Sequence, residues 1–291
     1  MADTTADWRL TYGADELRFG SIESGYVFPT APEIGAADLT NDDARRPRGD
    51  GVVFGQDTRG GTTVSFEIDV DAADEGAVLA KLGPLAAAWR GDAVRSTPGA
   101  TAELVSDTGR TTFGRPRRFV VGHGLRKAGL LQVTADFATA DDLWYGREDM
   151  ASVQLVPPAG GGLIAPLASP LATTVTSDRS QGFTLRGARP TWPVFEIHGP
   201  ITNPTIEVLG VLRMEFRLTL AYDETLVVDT RPWARSTLRN GASVAGALTR
   251  TSTRLSQAAI APGNYELSLR GASDTGTAWA AVRWREAFLT P

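Results

Sequence analysis

The chain contains no cysteine, which excludes disulfides and thiolate metal sites. Only two histidines occur, His123 and His198, leaving little for general-base or metal chemistry. His123 lies between glycines in "VVGHGL" and His198 closes an alternating stretch, so both read as turn or strand-end residues. No run approaches the ~18–20 apolar residues of a membrane helix. The most apolar stretch, "GGGLIAPLASPLATTV", is broken by Pro166 and Pro170. "MADTTADWRL" lacks the basic start and apolar run of a secretory signal, so a soluble protein without a membrane span is expected. A basic surplus is missing too: 29 Lys and Arg stand against 34 Asp and Glu, a net charge of −5. That argues against specific nucleic-acid binding through a charged face.

Period-two alternation of apolar and polar residues dominates what is present. "VSFEIDV" puts Val64, Phe66, Ile68 and Val70 on one face, and "LLQVTADF" does the same for Leu131, Val133, Ala135 and Phe137. "MEFRLTLAYD" sets Met214, Phe216, Leu218 and Leu220 against Glu215, Arg217 and Thr219. "YELSLRG" adds Tyr265, Leu267 and Leu269. This is the pattern of half-buried antiparallel strands. Asn240-Gly241 suits a type I′ hairpin turn. In "DAADEGAVLAKLGPLAAAWRG", Val78, Leu82, Leu85 and Trp89 have helical spacing, with Asp71 as N-cap and a kink expected at Gly83-Pro84.

Catalytic constellations do not emerge. The adjacent acids Asp42-Asp43, Asp141-Asp142 and Glu148-Asp149 would face opposite ways on a strand. No Gly-x-Ser-x-Gly elbow and no phosphate loop occurs. Arg48-Gly49-Asp50 fits a turn better than an adhesion ligand. Trp284 is in register with Val282 and is expected to be buried. No enzyme activity and no cofactor is expected.

"EIHGPITNPTIEV" raises a sharper question, because two prolines interrupt an alternating strand. Proline has no amide hydrogen for a ladder, so a strand ending at His198, a rigid corner and a new strand near Thr205 are expected. Gly199, Pro200, Asn203 and Pro204 would form this structural corner. Downstream come "FRLTLAYDETLVVDTRP", "LRNGASV", "LSQAAIAPGNYELSLRG" and "AAVRWREAF". Their order resembles the C-terminal half of phage distal tail (Dit) proteins, also called minor tail proteins of long-tailed phages. The resemblance rests on Gly199 with Asn203-Pro204, Asp229-Thr230, and Pro262-Gly263-Asn264. In the first half, "RRPRGDGVVFGQDTRGGTTVSFEIDV" resembles the family's early hairpin and "DDLWYG" the segment closing its first domain. High Ala, Arg and Gly content suggests an actinobacterial phage or prophage.

The resemblance implies a mainly β fold. Residues 1–155 would be a β-rich ring domain with one short helix, 156–171 a linker or covering strand, and 172–291 a galectin-like antiparallel β-sandwich. It implies a homo-hexameric ring at the virion tail tip, assembled in the host cytoplasm. That ring would join the tail tube to the tail hub or baseplate around the DNA channel, beside other minor tail proteins and the tape-measure protein. Candidate ring contacts are strand edges near 52–54 and 64–70, and Arg115, Arg117 and Arg118 of "FGRPRRF" facing Asp42, Asp43 or Asp69. The alternative is a carbohydrate-binding or receptor-binding tail protein, with Trp192 and Trp233 as glycan contacts. A β-rich hydrolase ranks far behind.

Overall fold

The computed structural model describes residues 7–13, 15–122, 126–155 and 180–291. The expected linker over 156–171 and His123 lie outside the described residues. Contacts divide the chain into two compact units, Met1–Arg147 with Phe288–Pro291, and Glu148–Ala287.

In the first unit, alternation dictates one antiparallel sheet. Its order is Asp15–Phe19, Trp8–Tyr12, Ala102–Val105, Thr111–Val121, Leu130–Thr139 and Thr63–Asp71. The short strands Tyr26–Val27 and Glu33–Ile34 add to the far side of Thr63–Asp71. Val64, Phe66, Ile68 and Val70 are fully or almost fully buried, as are Leu131, Val133, Ala135 and Phe137. The helix Glu75–Arg90 contributes Val78, Leu85 and Trp89 to the same core, and Trp89 donates its indole N–H to the Asp136 carbonyl at 3.0 Å. Phe66 sits centrally among aromatic rings, edge-on to Trp8 at 5.3 Å, Phe19 at 5.3 Å and Trp89 at 5.8 Å, a favoured geometry.

Two helix expectations are corrected. The N-cap is Asp74, whose carboxylate accepts from the Ala77 amide at 2.8 Å; Asp71 is instead the last residue of a strand, opposite Leu130. The helix also runs unbroken through Pro84, which lies on its exposed side. Gly91, with φ 57°, ends it as a left-handed cap.

The second unit is a β-sandwich. One sheet runs in the order Trp144–Gln154 (through its residues from 148 on), Trp279–Phe288, Val194–His198, Thr225–Asp229, Ser236–Arg239 and Ala242–Ser243. The other runs Ser180–Leu185, Gly263–Ala272 and Ile201–Val208, the last pairing with both Leu212–Glu215 and Thr219–Leu220. Between them Phe195, Ile197, Ile206, Met214, Phe216, Leu267 and Val282 are fully buried. Arg217, next to Phe216, is exposed, and Trp284 is buried as its register requires. Asn240 and Gly241 both take positive φ, 46° and 83°, in the hairpin joining Arg239 to Ala242.

Candidate assembly surface

Every residue from 38 to 60 of the first unit is exposed. This arm is a narrow hairpin: Leu39–Thr40 pair with Thr58–Arg59, and Ala44–Arg45 with Val52–Val53. Arg48-Gly49-Asp50-Gly51 forms its tip, where Gly49 and Gly51 take positive φ. Gly55 permits the close strand approach, since a Cβ there would stand 2.1 Å from the Asp42 carbonyl oxygen. Alternation along the arm has no buried side to match. Leu39 is 60%, Val53 55% and Phe54 84% exposed.

The root of the arm is fastened by polar contacts. Thr62 and Thr139 exchange hydrogen bonds, the Thr62 amide donating to Thr139 Oγ1 at 2.8 Å. Arg59 pairs with Asp142 at 3.1 Å. Beside them the Asp141 carboxyl accepts from the Tyr145 hydroxyl and the Leu143 amide. Burial pushes Asp141 up to about 6, against the lowering effect of those two donors; the neighbouring Asp142 charge adds to the rise. The doublet Asp141-Asp142 therefore splits into a tucked-in carboxyl and an ion-paired one. "DDLWYG" carried the signal for this, an acid four residues before a tyrosine.

The anticipated interface residues scatter. Arg115 donates to the carbonyls of Ala100 at 2.7 Å and Thr97 at 2.8 Å, so it braces a loop of its own unit instead of facing an acid. "FGRPRRF" is part of the strand Thr111–Val121, with a register shift between Pro116 and Phe119 that leaves Arg117 and Arg118 exposed. Asp42 and Asp43 lie on the arm, and Asp43 accepts from the Gly55 amide at 2.9 Å. Asp69 is half-buried; desolvation first, then Glu67 and Asp71, raise its carboxyl above the usual range. The 64–70 segment is no free edge, because strands pair on both of its sides.

The proline corner is also revised. The strand after it starts at Ile201, not near Thr205, and it is central: Pro204 lies inside it, buried, at a register shift between Thr202 and Thr205. A bulge is where a strand tolerates a residue without an amide hydrogen. Asn203 supplies the backbone turn with φ 50° and donates its amide to the Leu218 carbonyl at 2.8 Å, while its side chain is exposed. Gly199, before the cis Pro200, packs so closely that a Cβ would stand 1.9 Å from the Ala221 carbonyl oxygen. The other motifs have local roles. Thr230 is fully buried and its hydroxyl donates to the Pro193 carbonyl at 2.6 Å, while Asp229 holds Arg231. Gly263 opens a strand.

Trp192 and Trp233 are half-buried in separate loops, and the Arg235 guanidinium lies 5.9 Å from the Trp192 ring. His198 stacks on Trp279 with centroids 3.9 Å apart, and its Nδ1 shares a hydrogen bond with Thr225. Among the described residues no group of three or more His, Asp or Glu is placed to hold a metal ion.

No family model matches the sequence, and no curated protein does. Solved structures do. The Dit (gp 19.1) protein of phage SPP1, described as a paradigm of the hub adsorption apparatus of phages infecting Gram-positive hosts, superposes with a TM-score of 0.60 at 16% identity, over 97% of this chain and 99% of that one. The fold is that of a phage distal tail protein. A chain of the phage P2 baseplate in its activated conformation with calcium gives a TM-score of 0.55 at 12% identity, over 95% of this chain and 97% of the other. The strontium form of that baseplate gives 0.54 at 12%. The distal-tail fold thus spans both units, and the likeness is carried by backbone, with little shared sequence.

Proposed function

We propose that this chain is a distal tail protein: a structural, non-enzymatic component of a phage tail tip. Its first unit forms a closed ring, most simply of six copies, between tail tube and hub, with the tape-measure protein and other minor tail proteins as neighbours. Assembly takes place in the host cytoplasm. The arm is the observation that supports this reading. A lone two-stranded hairpin is marginal in water, and one that exposes Leu39, Val53 and Phe54 gains stability when another surface covers them. A ring supplies such a surface by repetition, since a heterologous contact brings each arm to a different patch on the next copy.

Shortening the arm tests this. Replacing residues 41–57 by Asn-Gly closes the hairpin between the paired Thr40 and Thr58 and leaves the root contacts of Arg59 and Thr62 in place. Light scattering after size exclusion, at rising protein concentration, should show oligomers for the natural chain. The shortened one should stay monomeric with an unchanged melting temperature. A shortened chain that assembles equally well contradicts the role of the arm.

A further inference from the structure

The second unit carries a groove on one of its two sheets. It lies at the edge of the five-stranded sheet, where Ser180–Leu185 pairs with Gly263–Ala272, and has a volume of about 480 Å³. Small-molecule sites span roughly 300–1,000 Å³. Gly182 forms its floor opposite Glu266, and a Cβ there would meet nothing closer than the Tyr265 carbonyl at 4.0 Å. Two pairs along, on the same face, the Thr184 hydroxyl donates to Asn264 Oδ1 at 2.8 Å, which turns the Asn264 amide nitrogen to other acceptors. Ser180 donates to Glu266 Oε2 at 3.0 Å, which leaves Oε1 as an acceptor. Leu209, 41% exposed, forms an apolar wall.

We infer that this groove is a binding site for a neutral saccharide. The lining offers a carboxylate acceptor, an amide donor and a hydroxyl within one sheet repeat, beside an aliphatic surface. That combination matches a sugar ring, which presents hydroxyls along its edge and C–H groups on its face. No basic side chain lines the groove, and Glu266 repels anions, so phosphates and acidic sugars fit poorly. The site is separate from Trp192 and Trp233, neither of which lines it.

Glycan-array binding by the full-length chain, followed by titration calorimetry with the best neutral oligosaccharide, tests the inference. The array should carry hexopyranosides, arabinofuranosides and sialylated controls. The expected result is binding confined to neutral glycans. Glu266→Gln, which removes one charge-assisted hydrogen bond, should weaken it about tenfold. Gly182→Leu, a strand-compatible change that fills the floor, should abolish it, with circular dichroism confirming the fold. Trp192→Ala should leave affinity unchanged. Three outcomes overturn the proposal: no glycan bound, a preference for acidic glycans, or binding unchanged in both Glu266→Gln and well-folded Gly182→Leu.

Discussion

Asp141→Asn should flatten a pH dependence built into the root of the arm. Burial lifts the Asp141 carboxyl from its ordinary 3.8 to about 6. Between those values the folded protein holds a proton that the unfolded chain has released. The resulting stabilisation is therefore complete below pH 3.8 and is lost as pH rises through 6. A separation of about 2.2 pH units corresponds to at most about 3 kcal/mol at 1.36 kcal/mol per unit. Asparagine keeps an acceptor for the Leu143 amide and carries no charge at any of these pH values. The natural chain and the variant should thus be similarly stable near pH 4, and the variant should gain on the natural chain up to pH 7. Guanidinium denaturation from pH 4 to 7.5, followed by tryptophan fluorescence of the first-unit transition, measures the difference between the two. Other acids titrate equally in both proteins and cancel. A difference that does not change with pH would falsify the placement of this carboxyl.

Phe216→Ala should cost roughly 3–5 kcal/mol in the second unit because the ring is fully buried, whereas exposed Arg217→Ala should cost little; urea melts distinguish them. Equal costs would mean that the inner face is misassigned. At the bulge, Asn203→Gly should be nearly neutral and Asn203→Val should lose about 1–2 kcal/mol or more, since only the backbone at φ 50° is at stake. Scanning calorimetry should place that loss in the second-unit transition alone.

The residues that announced themselves were those whose roles are local and periodic. Phe66, Phe137, Phe216 and Trp284 follow the two-residue repeat into a core, and Asn240-Gly241 encodes its own turn. Contacts that join distant segments left no such trace. Arg115 looked like a surface cation because the carbonyls it binds, at 97 and 100, belong to another segment. Pro204 argued for a strand end, yet a one-residue bulge absorbs its missing donor within a central strand. Asp71 and Asp74 are equally good caps in composition; pairing of Asp71 with Leu130 decides between them. Val52 and Val53 read as strand residues and are, but alternation could not reveal that neither they nor the neighbouring Phe54 is covered within the subunit. The Asp141 contact with Tyr145, four residues on, is local, and only the burial of that carboxyl was hidden from the sequence.

Ring formation by the full-length protein is the central claim, and electron microscopy of concentrated, purified protein addresses it most directly. Class averages should show closed rings with six-fold symmetry, and mass spectrometry of purified virions should find the chain among the tail proteins. Monomers at every concentration, together with its absence from virions, would contradict the account.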